Sequence, residues 1–337
     1  MSCENKSKRI ILCGAYGAGN LGDEAERLAV SSALLTAMPE LELITLTRSP
    51  KRADEIHSFD PARIISALSG ADALILGGGS LLQNVTSRRS LYYYLGLMRL
   101  AKRNKCRVML YGCGIGPISG EADIRRTVRV LTDCADIICL RDTKSAELLL
   151  RMGYNAAPPV ITADPVLSLP IEGAGERGRG VCFIVREWRD DSFCGAVASA
   201  AKKLNAEGER VCFAMLNRQD ESITRRCAEG LPVIPYTDSP EKLASELCKF
   251  RCVVSMRLHG LILAGKAGCD CLGLSYDPKI DGFAADAGIT ALPVDGLTDE
   301  LILSGTAAAG QTDTDRLCAA EKGNLAAAVS LIRREKS

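Results

Sequence analysis

"KRIILCGAYGAGNLGDEAERLAVSSALLTAM", residues 8–38, passes from an uninterrupted apolar run through a glycine-rich turn into a segment with helical periodicity. An apolar run that does not alternate with polar residues belongs to a strand buried on both faces, and such strands occur in parallel sheets covered by helices. The same unit recurs along the chain. "LELITLT" (41–47), "DALILGG" (72–78), "CRVMLYG" (106–112) and "DIICLR" (136–141) read as further buried strands, separated by helical patterns such as "LYYYLGLMRLAKRN" and "TKSAELLLRMG". The pattern loosens at "LSLPIEGAGERGRG" (167–180), rich in glycine and charge, and then restarts with "GVCFIVRE", "RVCFAML", "LPVIPYT", "CVVSM" and "CLGLS". The expected fold is α/β, with two Rossmann-like doubly wound domains facing a cleft. Residues 1–170 form the first domain with its glycine-rich loops and 171–310 the second. Residues 311–337 form a C-terminal helix that folds of this kind can return to the first domain.

Bulk properties narrow the function classes. A chain of 337 residues and 36.0 kDa is long enough for two cores, and 47% hydrophobic with 25% charged residues is an ordinary globular balance. The formal net charge of +1, with basic residues spread over both halves, speaks against a nucleic-acid surface. Fifteen cysteines, mostly within apolar runs and without a C-x-x-C pair, read as reduced core residues. The polar start "MSCENKSKR" is not a signal peptide, and no segment reaches the roughly 18 apolar residues of a membrane span. A cytoplasmic protein is expected.

In open parallel sheets ligands sit beyond the carboxyl ends of the strands, so the residues just after each strand matter most. Three of these points in the first domain are glycine-rich. "GAYGAGNLGDEA" (14–25) contains a G-x-G-x-x-G match, but the second strand ends in "LTRSP", without the acidic residue that grips a ribose. Arg48 there leaves an NADP phosphate as an alternative. Otherwise Gly17, Gly19 and Asn20 offer backbone and amide donors to an anion or a sugar hydroxyl, and Asp23 suits either a ligand contact or the first turn of a helix. "LGGGSLLQN" (76–84) adds Gly78, Gly79, Ser80 and Gln83, and "YGCGIGP" (111–117) adds Gly114. Close strand-to-helix packing accounts for any one of these loops; three on one sheet edge favour a binding site.

The second domain supplies charge. "VVSMRLHGLILAGKAG" (253–268) places Arg257 and His259 where a strand gives way to a helix, and "YDPKIDGF" places Tyr276, Asp277 and Lys279 at the end of the next strand. His259 is one of two histidines. The other, His57, lies in a polar loop and reads as non-functional. The plain alternative makes His259 a helix-start residue, Arg257 an interdomain ion pair and Lys279 a solvated cation. No Asp, Glu or His cluster has metal-ligand spacing, so neither a metal nor a cofactor is expected.

"GNLGDEA", "GGGSLLQ", "GIGP", "RDTKSAELL", "SMRLHGLILA" and "YDPKIDGF", in this order, resemble the polysaccharide pyruvyl transferases, and among them the CsaB type most. The resemblance covers about residues 8–290. It implies a GT-B-like fold and transfer of the enolpyruvyl group of phosphoenolpyruvate to a sugar diol, giving a cyclic pyruvate ketal. For the CsaB type it implies N-acetylmannosamine of a lipid-linked precursor of a secondary cell-wall polysaccharide that anchors surface-layer proteins. A lipid-linked acceptor leaves peripheral association at the inner face of the membrane open, although no basic amphipathic helix stands out. By the resemblance His259 and Lys279, with Arg141 of "LRDTKS" and Arg257, bind and activate the donor. Asn84 stands where an acidic residue would follow the glutamine. The rival expectation is a GT-B glycosyltransferase using a nucleotide sugar, and a third is a non-catalytic sensor of a sugar phosphate.

Overall fold

The computed structural model describes residues 7–171, 178–189 and 191–333. Residues 172–177, the centre of the expected linker, lie outside the described residues, as do the first six of the polar start. Two compact units result: among the described residues, 7–18, 26–168 and 318–333 form the first, and 19–25 with 169–317 the second.

The first unit carries β1 (Arg9–Cys13), most of α1 (Leu21–Ala37), β2 (Glu42–Thr47), β3 (Glu55–His57), α2 (Pro61–Leu68), β4 (Ala73–Gly77), α3 (Arg88–Arg103), β5 (Arg107–Cys113), α4 (Glu121–Cys134), β6 (Ile137–Leu140), α5 (Thr143–Arg151) and β7 (Val160–Ile161). Its sheet is parallel throughout, in the order β3-β2-β1-β4-β5-β6-β7. This is the doubly wound arrangement, with its switch point between β1 and β4. Alternate residues of the strands feed opposite faces. Ile11, Leu74, Leu76, Val108 and Leu110 pack with helices α2 to α5, while Ile10, Leu12, Ile75 and Met109 pack with Val30 and Leu34 of α1.

The second unit carries β8 (Val181–Ile184), α6 (Phe193–Ala206), β9 (Val211–Ala214), α7 (Glu221–Ala228), β10 (Val233–Ile234), α8 (Pro240–Leu247), β11 (Cys252–Ser255), α9 (Leu258–Lys266), β12 (Asp270–Ser275), α10 (Pro278–Ala287), β13 (Thr290–Pro293), α11 (Asp299–Ala307) and β14 (Gly310–Gln311). The parallel order β10-β9-β8-β11-β12-β13 repeats that of the first unit, with β14 added antiparallel to β12. One face is filled by Phe183, Phe213, Val254 and Leu274 against Phe193, Val197 and Ile223 of α6 and α7 and Ile302 of α11. The architecture is therefore two parallel-sheet α/β units, as the apolar runs imply.

Several helices start on a side chain that accepts a backbone N–H: Asp60 before α2, Ser87 before α3, Asp142 before α5 and Asp277 before α10. The cysteines are free thiols among the described residues, most of them buried. Burial pushes Cys13, Cys252 and Cys271 up to about 12, which leaves them un-ionised at neutral pH. No described helix is long and apolar enough to cross a membrane.

The last helix, α12 (Thr314–Arg333), enters the first unit from Cys318 onward. Ala328, Leu331 and Ile332 join the cluster around Ile10 and Leu12. Asn324, 0% exposed, accepts the Thr162 hydroxyl at 2.7 Å and donates to the Ala163 carbonyl at 2.9 Å. Asn324→Ala leaves the buried Ala163 carbonyl without its donor and the Thr162 hydroxyl with only the Leu140 carbonyl at 3.2 Å, and is expected to cost about 1–3 kcal/mol. A lowered thermal midpoint checks this; an unchanged midpoint would contradict the docking of α12.

Candidate functional site

In the first unit the glycine loop after β4 and the end of β6 meet around one buried arginine. Arg141, 7% exposed, pairs with Asp164 at 3.0 Å and Glu26 at 3.5 Å and donates to the Ser80 hydroxyl at 3.0 Å. Its Nε lies 3.6 Å from Asp142. Burial alone would lower its pKa, but Asp164, Glu26 and Asp142 outweigh it and the net shift is upward, so the guanidinium is firmly cationic. Glu26 also accepts the Gly79 N–H at 2.6 Å. Gly78 has φ +77°, and a Cβ there would lie 2.6 Å from the Glu26 carboxyl carbon, so this turn requires glycine twice over. Gly114 lies against Ser80 and Arg141.

The other residues singled out in this unit stand apart from that cluster. Gly17 backs onto Thr47 and Ser49. The Gln83 side chain accepts the Thr86 N–H at 2.9 Å, a local turn contact. Asn84 donates to the Ser119 carbonyl at 2.7 Å and to Asp123 at 3.0 Å. Asp123 also takes a bidentate contact from Arg88 and the Tyr92 hydroxyl, which hold its carboxyl well below the usual range. Asn84 is therefore a staple between the loops before α3 and α4. His57 ends β3, and its Nδ1 accepts the Phe59 N–H at 3.2 Å.

In the second unit the charged residues follow two neighbouring strands, β11 and β12, paired with Ser255 opposite Gly273. The Ser255 hydroxyl ties the turn after β11, donating to the Arg257 carbonyl at 2.8 Å and accepting the Arg257 N–H at 3.0 Å. Arg257 then grips Asp220 through Nε at 2.5 Å and Nη2 at 2.6 Å. The fork uses one edge of the guanidinium, whose donors also include the two hydrogens of Nη1. The ion pair is made within the second unit, between the loop after β9 and the turn after β11.

His259 lies in the first turn of α9, half-buried, where the helix dipole favours negative charge nearby. The segment 19–25 belongs to this unit. Leu21 N–H donates to the Leu216 carbonyl at 2.9 Å, and Asn20 bridges Asn217. The Asn20 side chain donates to Asp23 at 2.9 Å and accepts the Gly22 N–H at 3.3 Å, so both serve the start of α1. Gly19, with φ +75°, approaches the Arg218 side chain. Gly22 sits so close to the imidazole that a Cβ there would lie 2.0 Å from His259 Nδ1. The "GNLGDEA" loop thus packs on the histidine.

After β12, Tyr276 carries two cations. Arg186 donates to its hydroxyl at 2.7 Å with the guanidinium 4.9 Å from the ring centroid, and Lys279 Nζ lies 5.6 Å from that centroid. Lys279 also lies 3.5 Å from Asp277, which accepts the Lys279 N–H as the cap of α10. Trp188 touches Tyr276, ring centroids 4.7 Å apart.

Sequence reasoning missed Glu26, Asp164, Asp220, Arg186, Trp188 and Gly22. Trp188 and Arg186 follow β8 at the switch point of the second sheet, so the rule that led to Lys279 applied to them as well. Asp164 follows a strand of two residues, too short to leave a pattern, and nothing in the sequence ties Asp220 to Arg257.

Similarity to known proteins bears on what this arrangement serves. The family model for polysaccharide pyruvyl transferase matches residues 20–278, from the "GNLGDEA" loop to the start of α10. The chain belongs to that family. No curated protein matches this pyruvyl transferase family member in sequence. Among solved structures, UDP-GlcNAc 2-epimerase from Neisseria meningitidis bound to UDP-GlcNAc aligns with a TM-score of 0.64 at 12% identity, covering 96% of this chain and 100% of that one. The UDP-GlcNAc 2-epimerase of Methanocaldococcus jannaschii aligns at 0.63 and 10%, covering 96% and 99%, and S. aureus MnaA with UDP at 0.64 and 11%, covering 98% and 99%. At such identities the likeness is one of fold, which is GT-B-like.

The Asp220 to Arg257 fork is testable by itself. The two side chains are 4% and 12% exposed, and removing one partner of a buried pair typically costs about 3–5 kcal/mol. Asp220→Ala is expected to lower stability by that order in chemical denaturation and Asp220→Asn by less. Equal, negligible effects would show that the pair carries no weight.

Proposed function

We propose that this family member transfers the enolpyruvyl group of phosphoenolpyruvate to a sugar diol, forming a cyclic pyruvate ketal and releasing phosphate. The observation that carries the reading is His259 on the first turn of α9, two residues after Arg257, with Lys279 on the first turn of α10, the helix that follows the adjacent strand. All three follow strand ends on the ligand-binding rim of a parallel sheet.

Phosphoenolpyruvate brings a carboxylate and a phosphate, which need fixed cations and backbone donors. Arg257, held in place by Asp220, offers its outer donors, and Lys279 an ammonium beside Asp277 and Tyr276. Arg141 is engaged by Glu26 and Asp164, so in this reading it orders the loop of Gly78, Gly79 and Ser80 against Gly114 for contact with substrate hydroxyls.

One sugar hydroxyl adds through oxygen to C2 of the enol, its proton is taken up by a base, and C3 is protonated to a methyl group. Loss of phosphate leaves an oxocarbenium-like C2. The second hydroxyl closes on C2, and its proton leaves with the phosphate. His259 is the proposed acid and base, since an imidazole titrates near neutrality and such transfers are worth about 10²–10⁴ in rate. The acceptor in this reading is N-acetylmannosamine of a lipid-linked cell-wall precursor met at the cytoplasmic membrane face, as in the CsaB type. The ordered motifs from "GNLGDEA" to "YDPKIDGF" support it.

Ligands that bind the folded state raise its stability by about 2.7 kcal/mol at a hundred times Kd. Phosphoenolpyruvate is expected to raise the thermal midpoint of the wild-type protein, and Lys279→Ala and Arg257→Ala to abolish the rise. A rise with UDP or a UDP-sugar and none with phosphoenolpyruvate would replace pyruvyl by glycosyl transfer.

A further inference from the structure

The second unit contains a cavity of about 270 Å³ beside the cationic face of Tyr276, at the carboxyl ends of β12 and β13. Its walls include the Trp188 and Tyr276 rings, and its polar groups include Arg189 and the carboxylates of Asp277, Asp281 and Asp295. We propose that this cavity is a saccharide subsite that takes one pyranose ring of the acceptor. The proposal deepens the pyruvyl-transfer reading and rests on it.

Size, charge and surface chemistry agree on this ligand class. The volume falls just below the roughly 300–1,000 Å³ that encloses a drug-sized molecule, which suits a single sugar ring. Asp277 is compensated by Lys279 at 3.5 Å and caps α10, which leaves Asp281 and Asp295 against Arg189, a formal charge of 1 − 2 = −1 that disfavours phosphate and carboxylate groups. Ionised carboxylates only accept hydrogen bonds, so their partners here are donors such as hydroxyl groups. The aromatic pair offers flat apolar area with little conformational freedom to lose, a match for the C–H face of a pyranose. The Arg189 contact to Asp295, at 3.9 Å with side chains 67% and 85% exposed, is too solvated to neutralise that wall.

Tyr276 stands between two chemistries. Arg186 and Lys279 lie against its hydroxyl and ring, where an anionic donor is favoured, and the acidic cavity opens beside it. A sugar seated there has its hydroxyls next to the site proposed for the donor, which is the geometry ketal formation requires.

Trp188, the chain's single tryptophan, stands on the cavity wall against Tyr276, so its fluorescence reports on this cavity and on the neighbouring face of Tyr276. The test titrates the full chain with methyl glycosides of N-acetylmannosamine, N-acetylglucosamine, glucose and galactose at millimolar concentrations, and in parallel with phosphoenolpyruvate. The expected result is a saturable emission change with at least one glycoside, weakened fivefold or more by Asp281→Asn and by Asp295→Asn, both still folded by circular dichroism. Silence with every glycoside overturns the subsite, as does a sugar response that both variants leave intact. A saturable change with phosphoenolpyruvate that a glycoside competes away also overturns it, by making the cavity the donor site. The donor reading is judged separately, by whether phosphoenolpyruvate raises the thermal midpoint.

Discussion

Parallel pairing along both main sheet orders is the constraint from which the rest follows. A parallel strand must return by a crossover, so within each unit the turns after the parallel strands fall on the same rim and the helices that follow them begin there; α12, after the antiparallel β14, is the exception. Backbone N–H groups and positive helix ends therefore gather at that rim before any side chain is chosen. The glycine turn at Gly78, the His259 turn and the cap at Asp277 are three uses of it.

On that rim the arginines are positioned by acids. Arg141 with Glu26 and Asp164, and Arg257 with Asp220, are buried pairs whose desolvation is offset only because the geometry is close. An arginine held by one edge of its fork keeps a fixed orientation and still has donors for a ligand, which suits the binding of an anion in one pose. The less constrained cations are Lys279 and Arg186, both gathered on Tyr276.

Much of this was legible in the sequence. Continuous apolar runs such as "RIILC" and "ALILG" specify buried parallel strands, and the residues after "CVVSM" and "CLGLS" locate Arg257, His259 and Lys279 at strand ends. Strands β3, β7 and β14 have three residues or two, so no period exists to detect, whereas the equally short β10 shows as the apolar run "LPVIPYT". The partners were hidden for a different reason. Asp220 meets Arg257 because β9 and β11 flank β8, and Asp164 meets Arg141 because β7 lies beside β6; such contacts depend on strand order, which local pattern does not encode. Asn84 shows the reverse case, a polar loop residue whose task is to hold Asp123 and Ser119 together.

The central claim is pyruvyl transfer with His259 as acid and base. The most direct measurement is phosphorus NMR of the protein mixed with phosphoenolpyruvate, UDP-N-acetylglucosamine and an N-acetylmannosamine-terminated lipid-linked saccharide. The account expects the phosphoenolpyruvate signal to give way to inorganic phosphate only when the saccharide is present, with His259→Ala slower by about a hundredfold or more. Conversion of the UDP-sugar to UDP with phosphoenolpyruvate left intact, or undiminished phosphate release by His259→Ala, would contradict it.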